Sequence, residues 1–273
     1  MISDFKSAPF SLYSTTSATT PVNSDKSLAT LVGARFRGDD GKEFMLVQNA
    51  GTALAAGVVV QGPVAQANAV GLSPATINTT GYLATLGPIA GVIGGKTIQI
   101  ASGATAVLAN RFAGGTLTVV EGLGLGQTVG IAGNTAGSTT SAVGIVLEDA
   151  FGTATDSTSR FTLNINPYGS LFGTDYTTDG VVISPTTLTG MVLGVTCYPI
   201  PASTATVPSY GYIQTKGPVA VLGSSTVALG LDVGVPSGTA GAIVTYAVAT
   251  TTRIGTTIVA SASAKYNVIN VQL

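Results

Sequence analysis

Short runs of β-branched and aliphatic residues recur along the chain, each broken off by a glycine-bearing turn. In the first half they are Phe44 to Val47, Gly57 to Val60, Thr97 to Ile100, Thr116 to Val120 and Val143 to Leu147. Phe161 to Ile165, Val181 to Ser184, Met191 to Thr196, Tyr210 to Thr215, Ala242 to Val248, Thr256 to Ala260 and Asn267 to Gln272 continue the series. Runs of this length and composition read as strands. Asp40-Gly41, Gly94-Gly95, Gly114-Gly115 and Asp179-Gly180 supply turns between them. Long amphipathic runs of Leu, Glu and Lys are missing, so little helix is expected. One short helix is allowed over Gly103 to Asn110, where Ala-Thr-Ala-Val-Leu-Ala runs without a breaker.

The expected fold is therefore all-β, built of antiparallel β-sandwich or β-barrel modules, since periodicity does not separate the two. Residues 1–32 show neither a helical nor a strict two-residue period and read as an extended N-terminal arm with isolated apolar anchors, Phe5, Phe10, Leu12 and Tyr13. A polar seam, Gly152-Thr-Ala-Thr-Asp-Ser-Thr-Ser159, places a boundary between a β-rich domain at 33–155 and a second at 156–273. Pro199 to Pro208 reads as an irregular exposed loop.

One internal similarity stands out. Phe44-Met45-Leu46-Val47-Gln48 with Gly51 and Gly57 aligns with Tyr210-Gly211-Tyr212-Ile213-Gln214 with Gly217 and Gly223. Each reads as a strand, a glycine turn and a return strand. The match is either a duplication or a convergence of two hairpins.

Composition narrows the function. Of 273 residues, charged ones make up only 8%, with a net charge of -1 and 11 Lys and Arg scattered singly. No basic stripe is present to neutralise a run of phosphates, so no nucleic-acid partner is expected. A low-charge surface suits a protein that ends up docked in a dense assembly. Mean hydropathy is +0.49, yet the longest apolar stretch, near Ala53 to Val60, is far short of the ~20 residues of a spanning helix. The N-terminus lacks the basic and apolar regions of a signal peptide. The expectation is a protein made in a cytoplasm, with no membrane partner.

Histidine is absent, which removes Cys-His and Ser-His-Asp catalysis and zinc sites that need imidazole. The single cysteine, in Val195-Thr196-Cys197-Tyr198, reads as a small buried thiol on a strand. Arg37-Gly38-Asp39 spells an integrin-type tripeptide but reads as a charged turn. Gly122-Leu-Gly-Leu-Gly-Gln127 with Gly130 to Asn134 lacks the GK[ST] ending and the strand-to-helix context of a phosphate loop. The acidic groups, Asp39-Asp40 with Glu43, Glu148-Asp149, and Asp175 with Asp179, lack calcium-loop spacing. No catalytic set, cofactor or metal is expected.

Phe44 to Gly57 and Tyr210-Gly-Tyr-Ile-Gln-Thr-Lys-Gly-Pro-Val219 share an aromatic-led strand, a Gln-x-x-Gly turn and an alanine-rich return. With Asn166-Pro-Tyr-Gly169 and Thr189-Gly-Met-Val-Leu-Gly-Val195, they make the chain resemble virion structural proteins of tailed bacteriophages, most of all capsid decoration (cement) proteins. That resemblance implies a non-enzymatic protein on the outer surface of the head. It would bind the major capsid protein, self-associate as a dimer or trimer, and stabilise the lattice by bridging capsomers, with Phe5, Phe10, Leu12 and Tyr13 as possible assembly contacts. The alternatives are another virion component (tail, fibre or head-fibre protein) and a bacterial surface binding module.

Overall fold

The computed structural model describes residues 31–63, 75–76, 93–101, 106–137, 142–156, 159–170, 176–248, 250–260 and 262–273. Residues 1–30 of the expected arm, with Phe5, Phe10, Leu12 and Tyr13, lie outside the described residues.

The chain is all-β. In chain order the strands are β1 (Arg35–Arg37), β2 (Glu43–Asn49), β3 (Val59–Gln61), β4 (Ala75–Thr76), β5 (Thr97–Ala101), β6 (Thr116–Glu121), β7 (Thr128–Asn134) and β8 (Ala142–Leu147). They continue with β9 (Arg160–Asn164), β10 (Val182–Ile183), β11 (Val192–Thr196), β12 (Ser209–Leu222), β13 (Asp232–Val235), β14 (Val244–Thr245), β15 (Thr252–Val259) and β16 (Tyr266–Gln272). Every apolar run named above overlaps a strand. The short helix expected at Gly103 to Asn110 is absent from its described part, 106–110. There Val107 bridges to Gly137, and the Asn134 side chain accepts from Phe112 N–H and donates to Leu108 O, both at 2.9 Å. A side-chain clamp thus satisfies groups that a helix would have paired within itself.

The chain divides into two compact units, one of Met1–Val64 with Tyr176–Leu273, the other of Ala65–Asp175. This replaces the consecutive halves expected at 33–155 and 156–273. Strand β2 pairs along β12 from Asn49 opposite Ser209 to Glu43 opposite Lys216, so residues from both expected halves share one sheet. Where it is described, at 152–156 and 159, the polar seam is part of the connection between β8 and β9.

The inserted unit is a six-stranded sheet ordered β4-β9-β6-β7-β8-β5. Strands β6, β7 and β8 form a meander and β9 returns beside β6, the Greek-key arrangement. Its end strands, β4 and β5, come back within contact of each other, so the sheet curls toward a barrel. Alternate residues point into it: Ile98 and Ile100, Leu117 and Val119, Ile131, Ile145 and Leu147, Phe161 and Leu163 are all buried in one cluster, with Phe112 and Phe151 closing it.

The larger unit holds a ten-stranded sheet along the path β10-β3-β11-β12-β16-β15-β13-β14, with β2 on β12 and β1 on β2. Its core gathers Val59, Val195, Val219, Val221, Val233, Val235, Ile254, Ile269 and Val271. This sheet uses one pattern twice. Strand β3 lies between β10 and β11, and β13 lies between β14 and β15. Val60 stands opposite Ile183 and Gly194, while Val233 stands opposite Thr245 and Gly255. A bulge skips Leu193 in β11 and Ile254 in β15. The hydrogen bonds outside the ladders repeat too. Val181 N–H donates to Gln48 O and Ile243 N–H to Leu222 O, each at 2.8 Å. Ser184 N–H reaches Val59 O at 2.9 Å, as Tyr246 N–H reaches Asp232 O at 2.8 Å. The first copy is β2, β3, β10, β11 and the first half of β12. The second is the rest of β12 with β13 to β16. The six-stranded unit is inserted between β3 and β10 of the first copy, where the second has only residues 236–243.

The similarity between residues 44–57 and 210–223 therefore marks something other than this repeat. Their leading strands, β2 and the first half of β12, are neighbours within one copy, Phe44 opposite Gln214 and Gln48 opposite Tyr210, and 210–222 is one strand and not a hairpin. The counterpart of β2 is the second half of β12.

Candidate functional site

Strand β12 belongs to both copies and bends where it passes from one to the other. Gly217, with φ of +94°, takes a backbone conformation closed to most side chains. Pro218 follows and brings no N–H to the outer edge. Gln214 covers that edge, its Nε2 donating to Lys216 O at 2.9 Å and to Pro218 O at 3.0 Å. An amide side chain thus occupies carbonyls that an incoming strand would need.

Beside this bend is a cleft of about 490 Å3 lined by Lys42, Phe44, Gly57, Cys197, Tyr198, Gln214, Pro218, Ala220 and Tyr266, among others. Tyr266 leans over Gly57 and donates its hydroxyl to Ala56 O at 3.2 Å. Cys197 donates to Gln214 Oε1 at 3.6 Å. Burial pushes its thiol up to about 11, against smaller lowering effects of Lys42 and the bond to Gln214. The thiol is thus protonated at neutral pH and a poor nucleophile. Lys42, the cation of the cleft, is committed to Asp40 at 2.7 Å, and its hydrogen bond holds the exposed Asp40 carboxyl below its ordinary value. The cleft offers two tyrosine faces, a proline and an alanine, a surface suited to apolar or peptide-like contact and not to proton transfer.

The other sequence candidates resolve into structural roles. Arg37-Gly38-Asp39 closes β1 and opens the turn to β2, where Gly38 N–H donates to Lys42 O at 2.9 Å. Gly122 to Asn134 is the turn and second strand of the β6–β7 hairpin; Gly130 lies under the Glu148 side chain and Gly133 under that of Asn110. Glu43 pairs with Lys216 at 3.5 Å. Asp179 is buried, and Asp175 lies outside the described residues. Among the described residues no three His, Cys, Asp or Glu side chains gather as a metal site, and no helix is long and apolar enough to cross a membrane.

The Pro199 to Pro208 loop is irregular and mostly exposed, as expected, but pinned. Ile200 fills the space over Gly211, Asn49 Nδ2 donates to Ile200 O and Pro201 O, and Ser203 takes Ser209 N–H at 2.9 Å. No sequence signal marked Asn49, since its partners lie far along the chain.

The exposed surface carries many large apolar side chains. Leu123 and Leu125 stand on the β6–β7 turn, Tyr198 and Tyr266 at the cleft, and Leu229, Leu231, Ile258 and Val259 on the second copy. No protein family, curated protein or solved structure matches the chain.

Proposed function

We propose that this protein is a structural component of a tailed-bacteriophage particle, and within that class a capsid decoration (cement) protein. In this reading it binds the outer surface of the assembled head and bridges capsomers of the major capsid protein. The observation that carries the proposal is the surface. On a chain with 8% charged residues, both units expose Leu, Ile and Val side chains, and the larger one exposes Tyr198 and Tyr266 as well. A surface this poor in charge favours being covered, because charge is what keeps a free protein apart from its neighbours. Docking on a lattice would then rest on apolar burial and backbone pairing more than on ion pairs. The two sheets supply platforms for such contacts.

The test is direct. Purified protein is added to mature heads stripped of their own copies, and the decorated particles are imaged by cryo-electron microscopy. Density outside the shell, bridging capsomers, is the expected result. A variant lacking residues 1–20 should dock more weakly while keeping the melting temperature of the full chain. Density in the tail, or no docking at all, would overturn the cement reading.

A further inference from the structure

The repeat in the ten-stranded sheet has two equivalent edges, one covered and the other bare. In the first copy the edge is Gly57, with φ of +69°, whose N–H donates to Thr196 O at 2.7 Å. In the second it is Gly230, with φ of +78°, whose N–H donates to Thr257 O at 2.9 Å. The return bonds match as well: Thr196 N–H to Val58 O and Thr257 N–H to Leu231 O. The two glycines thus occupy one place in the repeat, and so do Val58 and Leu231.

Their surroundings differ. Over Gly57 lies the second copy: Leu222 N–H donates to Gly57 O at 2.8 Å. A Cβ on Gly57 would collide with the Tyr266 ring and stand 3.1 Å from Ala220 O. Val58 beside it is 4% exposed. Over Gly230 nothing lies within 4 Å of where a Cβ would stand, and its carbonyl accepts no hydrogen bond among the described residues. Leu231 is 45% exposed and Leu229 68%, with Ile258 and Val259 exposed on the strand alongside. The Asp232–Arg253 ion pair at 2.9 Å, hydrogen-bonded through Thr256, borders this patch where the first copy has Val59, Val192 and Val195. An apolar centre with a polar rim and a free backbone acceptor is the anatomy of a strand-accepting interface.

We propose that the Gly230 edge is covered by a second copy of this chain, which lays a strand on it as β12 lies on Gly57. What closes the matched edge inside the molecule is a strand of the same repeat, and that identifies the occupant. The contact joins different surfaces of the two chains, so it is head-to-tail and closes into a ring or propagates. It stands on the repeat alone and is independent of the capsid reading.

Sedimentation velocity over a wide concentration range tests it. The intact protein should sediment as a concentration-dependent oligomer. Leu229→Asp with Val259→Asp should weaken association at least tenfold and leave the melting temperature unchanged, because both side chains are exposed. Leu229→Ser should weaken it in the same direction. Leu125→Asp, on the inserted unit, places a negative charge on an equally exposed leucine elsewhere and should associate like the intact protein. A monomer at every concentration, full association in the double variant, or equal loss in the Leu125 variant would each overturn the proposal.

Discussion

Cys197 shows how a side chain that sequence can classify still takes its chemistry from a distant partner. Val195-Thr196-Cys197 reads as a strand carrying a buried thiol, but β11 ends at Thr196 and Cys197 follows it in a bend. That the thiol is half-buried and bonded to Gln214 depends on β11 pairing with β12, which no local pattern announces. Its pKa near 11 has a kinetic consequence. A thiol of ordinary pKa is a few per cent thiolate at pH 7, and one near 11 is roughly a hundredfold or more lower, so alkylation slows in proportion. Iodoacetamide should therefore modify the folded protein about two orders of magnitude more slowly than the urea-unfolded chain at pH 7. The folded rate should climb with pH to about 11, where the thiolate forms. Equal rates at pH 7, followed by intact-mass spectrometry, would show that the thiol is not held protonated. Gln48 and Gln214 were equally illegible as buried groups. Each spends its amide on backbone carbonyls, Gln48 on Asn49 O and Tyr176 O, and that satisfaction is what permits burial.

Among the elements, the strands rich in Val, Ile and Thr were legible because their alternation survives any topology. Strands β7 and β13 were missed because glycines dilute their pattern, and those glycines answer to neighbours across the sheet. Gly194 and Gly255 make the same point within strands that were read correctly. They hold matched places in the repeat, and a Cβ on either would run into a carbonyl of the next strand, Gln214 O and Asn270 O respectively. Alanine at either position should cost about 1 to 3 kcal/mol as overpacking against backbone that cannot move aside. Gly238, with open space around its missing Cβ, should accept alanine with little change. Urea denaturation of the three variants checks this, and equal midpoints for all three would refute the account. The repeat itself was hidden because the second copy keeps register, not residues. Asp232, Arg253 and Thr256 stand where the first copy has valines, and only the pairing shows the equivalence.

For the molecule as a whole, composition was enough to expect an all-β chain, but not its nesting. The crossings into and out of the inserted unit, near Val64 and Tyr176, carry no change of composition, whereas the polar stretch that drew attention, where described at 152–156 and 159, lies between two strands of one sheet. Nesting has an energetic consequence, because the two cores draw on separate residues. The inserted unit is held by the cluster around Phe112, Phe151 and Phe161, the larger by the valines and isoleucines around Ile269. Phe161 is fully buried, so Phe161→Ala should cost about 3 to 5 kcal/mol, the lost transfer energy plus an unfilled cavity. That loss should fall on one unit. Amide hydrogen exchange in the variant should quicken across β5 to β9, where Phe161 shares a core, and stay at its original rate in β11 to β16. Parallel acceleration in both sets of strands would mean that the units open as one cooperative body, and the inserted sheet would then be part of the larger unit's stability despite its separate core.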